Sequence, residues 1–232
     1  MKIGVISDIH GNYEALHEVL LEAKRQKVQH FFVLGDIVGY YYYPDKVLDL
    51  LSDWSYDLIK GNHEIILEKL LNDPKLSNEI LGKYGSGHQH ALMKLSNKQL
   101  HYLFDLPEKK SVQIDDKFFL LCHGSPWSID SYIYPDSKKE LIVKCDSKKH
   151  DFVLVGHSHY SFAFKNKHSV LLNPGSVGQS RQKGGKAYWS IIDTRNGAFQ
   201  FFQTEYKTQN LLNEIKSTDS GIKYLSEIIK RN

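Results

Sequence analysis

Three observations on the 232-residue sequence predict an α/β protein built around parallel strands. The N-terminal part alternates short apolar runs with amphipathic stretches, as βαβ units do. The segment from about residue 64 to residue 106 has mainly helical periodicity. Beyond it lie several short apolar or alternating runs that are typical of further strands.

The first three strands are predicted at Lys2–Ile6, His30–Leu34 and Tyr56–Ile59, where short, mainly apolar runs stop at polar or glycine-containing turns. A helix separates the first two strands, with Asn12 as its N-cap and an apolar stripe of Leu16, Val19, Leu20 and Ala23. A shorter helix over Asp45–Leu51 separates the second strand from the third. This order predicts a parallel sheet.

The second half of the chain is predicted to supply a hairpin, further strands and one closing helix. The hairpin pairs Ser111–Ile114 with Lys117–Cys122 around a turn at Asp115-Asp116. The further strands are Phe152–Val155, Tyr160–Phe164, Val170–Leu172, Ala187–Asp193 and Ala198–Gln203. The closing helix carries the apolar residues Leu211, Leu212, Ile215, Ile222, Leu225 and Ile229. In the preceding helical segment, Pro74 and the region Gly82–Gly87 are predicted interruptions.

Length and composition indicate an ordinary globular protein. Hydrophobic residues make up 41% of the chain and charged residues 25%, so an ample core is expected without a metal or a disulfide. Residues 1–232 are predicted to form a single domain with a helical insert around residues 64–106. The net charge of +3 and the pI near 8.6 are compatible with an anionic substrate but do not establish nucleic-acid binding.

Nothing in the sequence predicts export or membrane insertion. The apolar run Ile3–Ile6 is too short for a signal peptide, and no stretch approaches the roughly 18 apolar residues of a membrane span. Cys122 and Cys145 lack a metal-binding spacing, so both are expected to be buried, reduced thiols. We therefore expect a cytoplasmic protein with no membrane partner.

Side chains that can bind metal recur where a predicted strand ends. The carboxyl ends of strands are where ligand sites gather in open α/β sheets, so five separate strand ends would deliver these groups to one place. One such histidine alone is more simply explained as a buried core residue, but the recurrence favours a shared site. The residues are Asp8, His10, Asp36, Asn62, His123, His157 and His159.

This set of ligands indicates the kind of metal. Nitrogen and oxygen donors without thiolate suit divalent manganese, iron, cobalt or zinc better than calcium, which prefers an all-oxygen shell. A carboxylate can bridge two such ions, and two ions about 3.5–4 Å apart can act on the attacking and leaving oxygens of a displacement at phosphorus. The sequence therefore predicts two divalent transition-metal ions and phosphoester chemistry.

The same residues resemble the signature of the calcineurin-like metallophosphoesterases. The matching blocks are Asp8-x-His10, Gly35-Asp36, Gly61-Asn62-His63-Glu64, His123-Gly124 and Gly156-His157-Ser158-His159, in that order within residues 2 to about 195. Additional blocks resemble the small bacterial and archaeal phosphodiesterase subgroup: Gly35–Tyr40, His123–Pro126 and Asn173–Gln179.

The resemblance implies a four-layer α/β/β/α sandwich of two mixed β-sheets flanked by helices. It also implies that Asp8, His10, Asp36 and His159 hold the first metal, with manganese or iron favoured over zinc or cobalt. Asp36 would bridge to a second metal held by Asn62, His123 and His157. His63 would be the catalytic residue that protonates the leaving group or stabilises the pentacoordinate phosphorus, with a pKa lowered by the nearby cations.

Substrate contacts are predicted for Tyr40, His90 and Arg181. The segment Tyr41-Tyr42-Tyr43-Pro44 departs from the subgroup and suggests either stacking on a nucleotide base or packing against the following helix. His88 and His90 adjoin the Gly85–Gly87 turn of the insert, which the resemblance places near the cleft as a partial lid. The Gly175–Gly178 turn lacks the Lys-Ser/Thr of a P-loop and is expected to line the metal site.

The predicted function is hydrolysis of a phosphodiester or a nucleotide phosphoanhydride, by in-line attack of a metal-bridging hydroxide. The substrate would be a phosphorylated small molecule or a nucleotide, and a stable nucleic-acid complex is not expected. One alternative is a broad phosphomonoesterase. Another is a non-catalytic, partner-binding scaffold of the same fold, although such scaffolds typically lack some of the ligands or the histidine at position 63.

Overall fold

The computed structural model describes all residues from Met1 to Asn232 and contains two five-stranded sheets. The first sheet consists of β1 (Lys2–Ile6), β2 (His30–Val33), β3 (Tyr56–Leu58), β9 (Lys186–Asp193) and β10 (Ala198–Glu205). Its order is β10-β9-β1-β2-β3, with β1, β2 and β3 parallel and β9 antiparallel to both of its neighbours. The parallel pairing predicted for the first three strands is confirmed.

The second sheet is also mixed. It consists of β4 (Lys109–Ile114), β5 (Lys117–Cys122), β6 (Phe152–Leu154), β7 (Ser161–Lys165) and β8 (Val170–Pro174). Its order is β4-β5-β6-β8-β7, and β5, β6 and β8 run parallel. The predicted hairpin is the antiparallel pair of β4 and β5, which turns between Ile114 and Lys117.

Helices cover the outer faces of both sheets. They are α1 (Tyr13–Arg25), α2 (Pro44–Ser52), α3 (Asn62–Asn72), α4 (Ser77–Tyr84), α5 (Gly87–Lys94), α6 (Asn97–Phe104), α7 (Lys139–Lys144), α8 (Gln209–Thr218) and α9 (Lys223–Lys230), with a 3₁₀ turn at Pro74–Leu76. The predicted N-cap is confirmed, because the Asn12 side chain accepts a hydrogen bond from the Ala15 N–H. No helix is both long enough and apolar enough to cross a membrane.

Three apolar layers hold the sheets and helices together. Alternate residues of both sheets, such as Val5 and Phe32 from one and Phe119 and Leu154 from the other, form the core between them. A larger core joins the opposite face of the first sheet to α1, α2, α3, α5 and α6. A smaller one joins the outer face of the second sheet to α7 and includes Cys145. The predicted four-layer α/β/β/α sandwich is therefore confirmed.

One expectation about the helices was wrong, and one helix was not predicted. The closing helix is divided into α8 and α9, because the side chain of Asp219 turns away to accept hydrogen bonds from Ser86 and Tyr42. In addition, α7 forms where no helix was predicted. Its residues Leu141 and Ile142 pack against the second sheet. A segment of six residues with a lysine at each end is too short to show the periodic apolar pattern that would predict this contact.

Candidate metal centre

The predicted ligands converge at the carboxyl ends of strands from both sheets. Asp8 and His10 follow β1, Asp36 follows β2, and Asn62 begins α3 just after β3. From the second sheet, His123 follows β5, while His157 and His159 follow β6. Apart from Asn62, which is half-buried, these side chains are at most 5% exposed. Residues up to 151 positions apart in the sequence thus share one buried cluster.

The cluster contains two groups of ligand atoms. Asp8, His10, Asp36 and His159 each offer one atom within 4.8 Å of the others, and so do Asp36, His123 and His157. His159 Nε2 lies 3.3 Å from Asp8 Oδ1, and His123 Nε2 lies 3.3 Å from Asp36 Oδ2. Asn62 joins the second group, since its Oδ1 is 3.0 Å from His123 Nε2. Asp36 is the one side chain that belongs to both groups.

The imidazole rings are oriented so that their Nε2 lone pairs face the cluster. Nδ1 of His10, His123 and His159 each lies within hydrogen-bond distance of a backbone carbonyl oxygen, at 3.0, 2.6 and 2.6 Å. A carbonyl accepts only from N–H, so each Nδ1 carries the proton and each Nε2 is unprotonated in the neutral ring.

Two further contacts fit a bound cation. His10 Nε2 and His159 Nε2 are 3.2 Å apart, although neither has a proton to share when both rings are neutral. His157 Nε2 is buried without any hydrogen-bond partner in the protein. Unprotonated nitrogens packed against carboxylates are the donors that a divalent transition metal takes, so this set fits the ions expected from the sequence.

The two buried carboxylates concentrate negative charge. Burial by itself would raise the pKa of Asp8, but His159 and His123 outweigh it and hold that pKa at about 2. Asp36 behaves alike, and its pKa is well below the ordinary value because His123 and His63 outweigh burial. Burial lowers the pKa of His123, yet Asp36 and Asp8 raise it to about 10. The centre thus stabilises positive charge next to its carboxylates.

The loops that present the ligands are conformationally strained. Eight non-glycine residues have positive φ, and five of them are predicted ligands: Asp8, His10, Asp36, His157 and His159, with φ between 52° and 63°. Left-handed backbone costs an L-residue about 1–2 kcal/mol, and such strain concentrates at functional sites. These backbone conformations therefore lower the stability of the folded state, and they direct the five side chains towards the cluster.

Glu64 holds the Asp36 loop in this conformation and was not singled out as a site residue. Its carboxylate is fully buried and accepts backbone N–H groups of Asp36, Ile37, Val38 and Gly61 at 2.7 to 3.2 Å. Burial and the nearby Asp36 raise its pKa to about 7. The sequence signal was available, since a glutamate two positions after Asn62 lies at N3 of α3 and can reach back to the preceding loop.

His63 lies beside the cluster and is 3% exposed. Its backbone N–H donates to Asp36 Oδ1 at 2.9 Å, and its ring packs edge-on against His10 with centroids 4.7 Å apart. Burial holds the pKa of His63 well below its usual value, and Asp36 only partly offsets this. The ring is therefore a neutral imidazole, able to donate one N–H.

Of the two histidines on α5, the structure brings His88 to the cluster. His88 is fully buried, and its Nε2 is 3.2 Å from His63 Nδ1. His90, which was predicted to bind substrate, packs instead against the ring of Tyr42 at 5.0 Å. Residues two positions apart on a helix point in nearly opposite directions, so only one of them can face the centre.

The tyrosines of the β2–α2 loop divide into two sets. Tyr40, a predicted substrate residue, packs edge-on against His10 at 4.6 Å and beside His63 at 4.9 Å. Tyr41 and Tyr42 are fully buried in a core with α8 and α9, and their hydroxyls bond Leu225 O and Asp219. Base stacking on these two side chains is thus wrong, because the C-terminal helices cover them.

Of the three predicted substrate residues, Arg181 is the one whose charge suits an anion. Its guanidinium lies 5.9 Å from the ring centre of Tyr132, which in turn stacks on His157 at 3.9 Å. No acidic side chain forms an ion pair with Arg181, although the residue is half-buried. Asn173 supports the neighbouring loop, because its amide donates hydrogen bonds to Gly156 O and Ser158 Oγ beneath His157.

Comparison with known proteins finds a family and a relative that each match most of this chain. A family model described as the calcineurin-like phosphoesterase superfamily domain matches residues 1–197. The protein MJ0912 of Methanocaldococcus jannaschii is 31% identical, over 92% of this chain and 91% of its own.

Two solved structures share the fold over almost the whole length. PH1004 from Pyrococcus horikoshii superimposes with a TM-score of 0.87 at 22% identity, covering 99% of this chain and 98% of its own. A metallophosphoesterase from Sphaerobacter thermophilus superimposes with a TM-score of 0.77 at 25% identity, covering 97% of this chain and 99% of its own. Both similarities extend through the C-terminal helices, beyond the residues that the family model matches.

Proposed function

The chain belongs to the calcineurin-like phosphoesterase superfamily, and from this premise we propose that it hydrolyses a phosphodiester or a nucleotide phosphoanhydride with two bound divalent metal ions. The observation that supports the proposal most directly is the sharing of Asp36 between two groups of buried ligands, with His63 beside them. A carboxylate common to two groups is the arrangement that a two-metal site requires. The 25% identical metallophosphoesterase of Sphaerobacter thermophilus is in keeping with it.

In this proposal, Asp8, His10, Asp36 and His159 hold one ion, while Asp36, Asn62, His123 and His157 hold the other. Manganese or iron is favoured, with zinc and cobalt as alternatives, because each site mixes imidazole nitrogen, which suits iron and zinc, with carboxylate or amide oxygen, which suits manganese. When bound, the ions supply an activated water molecule and neutralise charge on the phosphoryl group. The Nδ1 hydrogen bonds to backbone carbonyls keep the rings in place for this purpose.

His63 and Arg181 are assigned complementary roles. His63 is neutral in its buried setting and donates an N–H hydrogen bond that stabilises negative charge on the leaving oxygen. Arg181 binds a non-bridging phosphate oxygen, for which its unpaired guanidinium is suited. Tyr40 packs against His63 and His10 and forms a wall of the same site.

A diester is preferred over a monoester for a reason of charge. The guanidinium of Arg181 lies 5.9 Å from the ring centre of Tyr132. A single cation beside an aromatic ring suits a singly charged phosphate that carries an organic substituent on each side. A monoester has two charges and one substituent, so it would gain less from this ring.

A panel assay tests the proposal. Protein reconstituted with manganese is compared on bis-p-nitrophenyl phosphate, p-nitrophenyl phosphate, cyclic nucleotides and dinucleoside polyphosphates, with chelated protein as the control. We expect the diester or dinucleoside substrates to have the higher kcat/KM. Preference for p-nitrophenyl phosphate would instead indicate a broad phosphomonoesterase, and two bound metals without turnover of any substrate would indicate a partner-binding scaffold.

We also infer a cytoplasmic setting and a single domain over residues 1–232, with the helices around residues 64–106 as an insert. The free, buried thiols Cys122 and Cys145 are in keeping with a reducing compartment. The packing of α8 and α9 on Tyr41 and Tyr42 supports treating the C-terminal helices as part of the same unit.

A further inference from the structure

His88 is a fully buried histidine that neither group of candidate metal ligands includes. Its ring is parallel to that of His63 within 10°, with centroids 5.0 Å apart. Its Nε2 lies 3.2 Å from His63 Nδ1, which is hydrogen-bond distance. A buried polar ring in direct contact with the candidate hydrogen-bond donor to the leaving oxygen needs a physical explanation.

The backbone around His88 is shaped for this contact. A Cβ at Gly87 would lie 2.6 Å from backbone atoms of Tyr40 and 2.8 Å from Gly39, so only glycine lets α5 begin against the β2–α2 loop. Directly before it, the backbone N–H and hydroxyl of Ser86 donate to Asp219, at 3.0 and 2.8 Å. Two independent contacts thus fix the start of α5 and the position of His88.

The hydrogen-bond partners of the His88 ring indicate which of its two nitrogens carries the proton. His88 Nδ1 is buried and has no partner. A buried N–H without an acceptor is rarer than an acceptor without a donor, so the His88 proton belongs on Nε2, where it points to His63 Nδ1. Burial also lowers the pKa of His88 to about 3, which keeps the ring neutral. His63 then accepts at Nδ1 and carries its own proton on Nε2.

We propose that His88 is a positioning residue whose Nε2–H holds the His63 ring and keeps the His63 proton on Nε2, ready for the leaving group. The catalytic meaning of this inference rests on the function proposed above. In the hydrolysis step, a water oxygen bonds to phosphorus as the bond to the leaving oxygen breaks. His63 Nε2–H donates a hydrogen bond to the leaving oxygen as negative charge develops there, and the proton released by the attacking water ends on that oxygen, so His63 keeps its own proton.

Three substitutions separate the hydrogen bond from packing. His88→Gln can present an amide N–H close to the original Nε2, whereas His88→Asn is one methylene too short to reach it. His88→Phe keeps a ring to pack on His63 but has no donor. Each variant is assayed on diphenyl phosphate and on bis-p-nitrophenyl phosphate, whose more acidic leaving group needs less help from a proton.

We expect kcat on diphenyl phosphate to fall about 10–100-fold in the Asn and Phe variants. On bis-p-nitrophenyl phosphate the fall should be much smaller, with KM and metal content unchanged. The Gln variant should retain most of the activity on both esters. An equal fall on both substrates in all three variants would assign His88 a merely structural role and overturn the proposal.

A second readout does not depend on activity. Imidazole ¹⁵N spectra of metal-free and zinc-loaded protein should show the His63 proton on Nε2 in the wild type and in His88→Gln, and a mixture of tautomers in the other two variants. A wild-type proton on His63 Nδ1, or an unchanged tautomer in the Asn and Phe variants, would overturn the role of His88. Should the wild type hydrolyse no ester at all, the proposed function fails and these spectra alone decide the His88 contact.

Discussion

Replacement of Gly39 by alanine tests whether the position of the His63 ring controls turnover. Gly39 has φ +89°, and a Cβ added there would lie 2.1 Å from His63 Nδ1 and 3.0 Å from two ring carbons. Because ordinary contacts between such atoms are about 3.5 Å, the ring must retreat by roughly 1 Å or more. A displacement of this size costs about 10²-fold in rate, so kcat should fall by about that factor.

The Gly39→Ala substitution should also lower the free energy of unfolding by a small amount. Left-handed backbone is unfavourable for alanine by about 1–2 kcal/mol, and displacement of the buried ring adds to this. The three atoms nearest to the new methyl group all belong to His63 and not to a candidate ligand. Metal content should therefore remain at the wild-type level while kcat falls.

Gly82→Ala is the matched control for this experiment. Gly82 lies within α4, and a Cβ there would meet no atom within 4 Å. Alanine is favoured over glycine inside a helix by about 0.5–1 kcal/mol, so this variant should be slightly more stable and fully active. The measurements are kcat and KM on bis-p-nitrophenyl phosphate with manganese, metal content, and the urea midpoint of unfolding.

Two outcomes would refute the reasoning. A Gly39→Ala protein with wild-type kcat would mean that the His63 ring can move without consequence for the reaction. Loss of metal from the same variant would mean that the β2–α2 loop has shifted as a whole and carried Asp36 with it.

Four other perturbations test the site and the fold. Asp36→Asn should weaken metal binding at both sites, because it removes the shared carboxylate; two ions per chain by elemental analysis would contradict the bridging role. His63→Ala should keep its metal but lose about 10²–10⁴-fold in kcat, and near-normal turnover would exclude it as the hydrogen-bond donor to the leaving oxygen. After chelation, manganese or iron should restore activity better than magnesium, since imidazole ligands disfavour a hard cation; a strict magnesium requirement would count against the proposed ligands. Burial raises the pKa of Cys122 and Cys145 to about 12, so both stay protonated at pH 8 and iodoacetamide should modify them only after unfolding, as mass spectrometry can verify.

The local pattern of the sequence was sufficient for much of the architecture. Each predicted strand is present, with ends within two residues of those expected, because short apolar runs bounded by turns leave few alternatives. The same pattern located Asp8, Asp36 and His123, since a polar residue directly after a buried strand must lie at the edge of a sheet. Helix boundaries were less predictable where they depend on distant partners. Asp219 ends α8 through contacts with Ser86 and Tyr42, which lie more than 130 positions earlier.

By itself, the sequence determined the order of strands and helices, the metal-binding side chains at the strand ends, and the family. Each of these depends on short blocks of neighbouring residues, which can be identified without knowing how the blocks meet in space. Only the tertiary structure decided that His88 rather than His90 meets His63, and that Tyr41 and Tyr42 are covered while Tyr40 lines the site. These outcomes depend on helix rotation and on packing between segments distant in sequence. Such contacts are selected by burial and hydrogen bonding in three dimensions, and no local pattern encodes them.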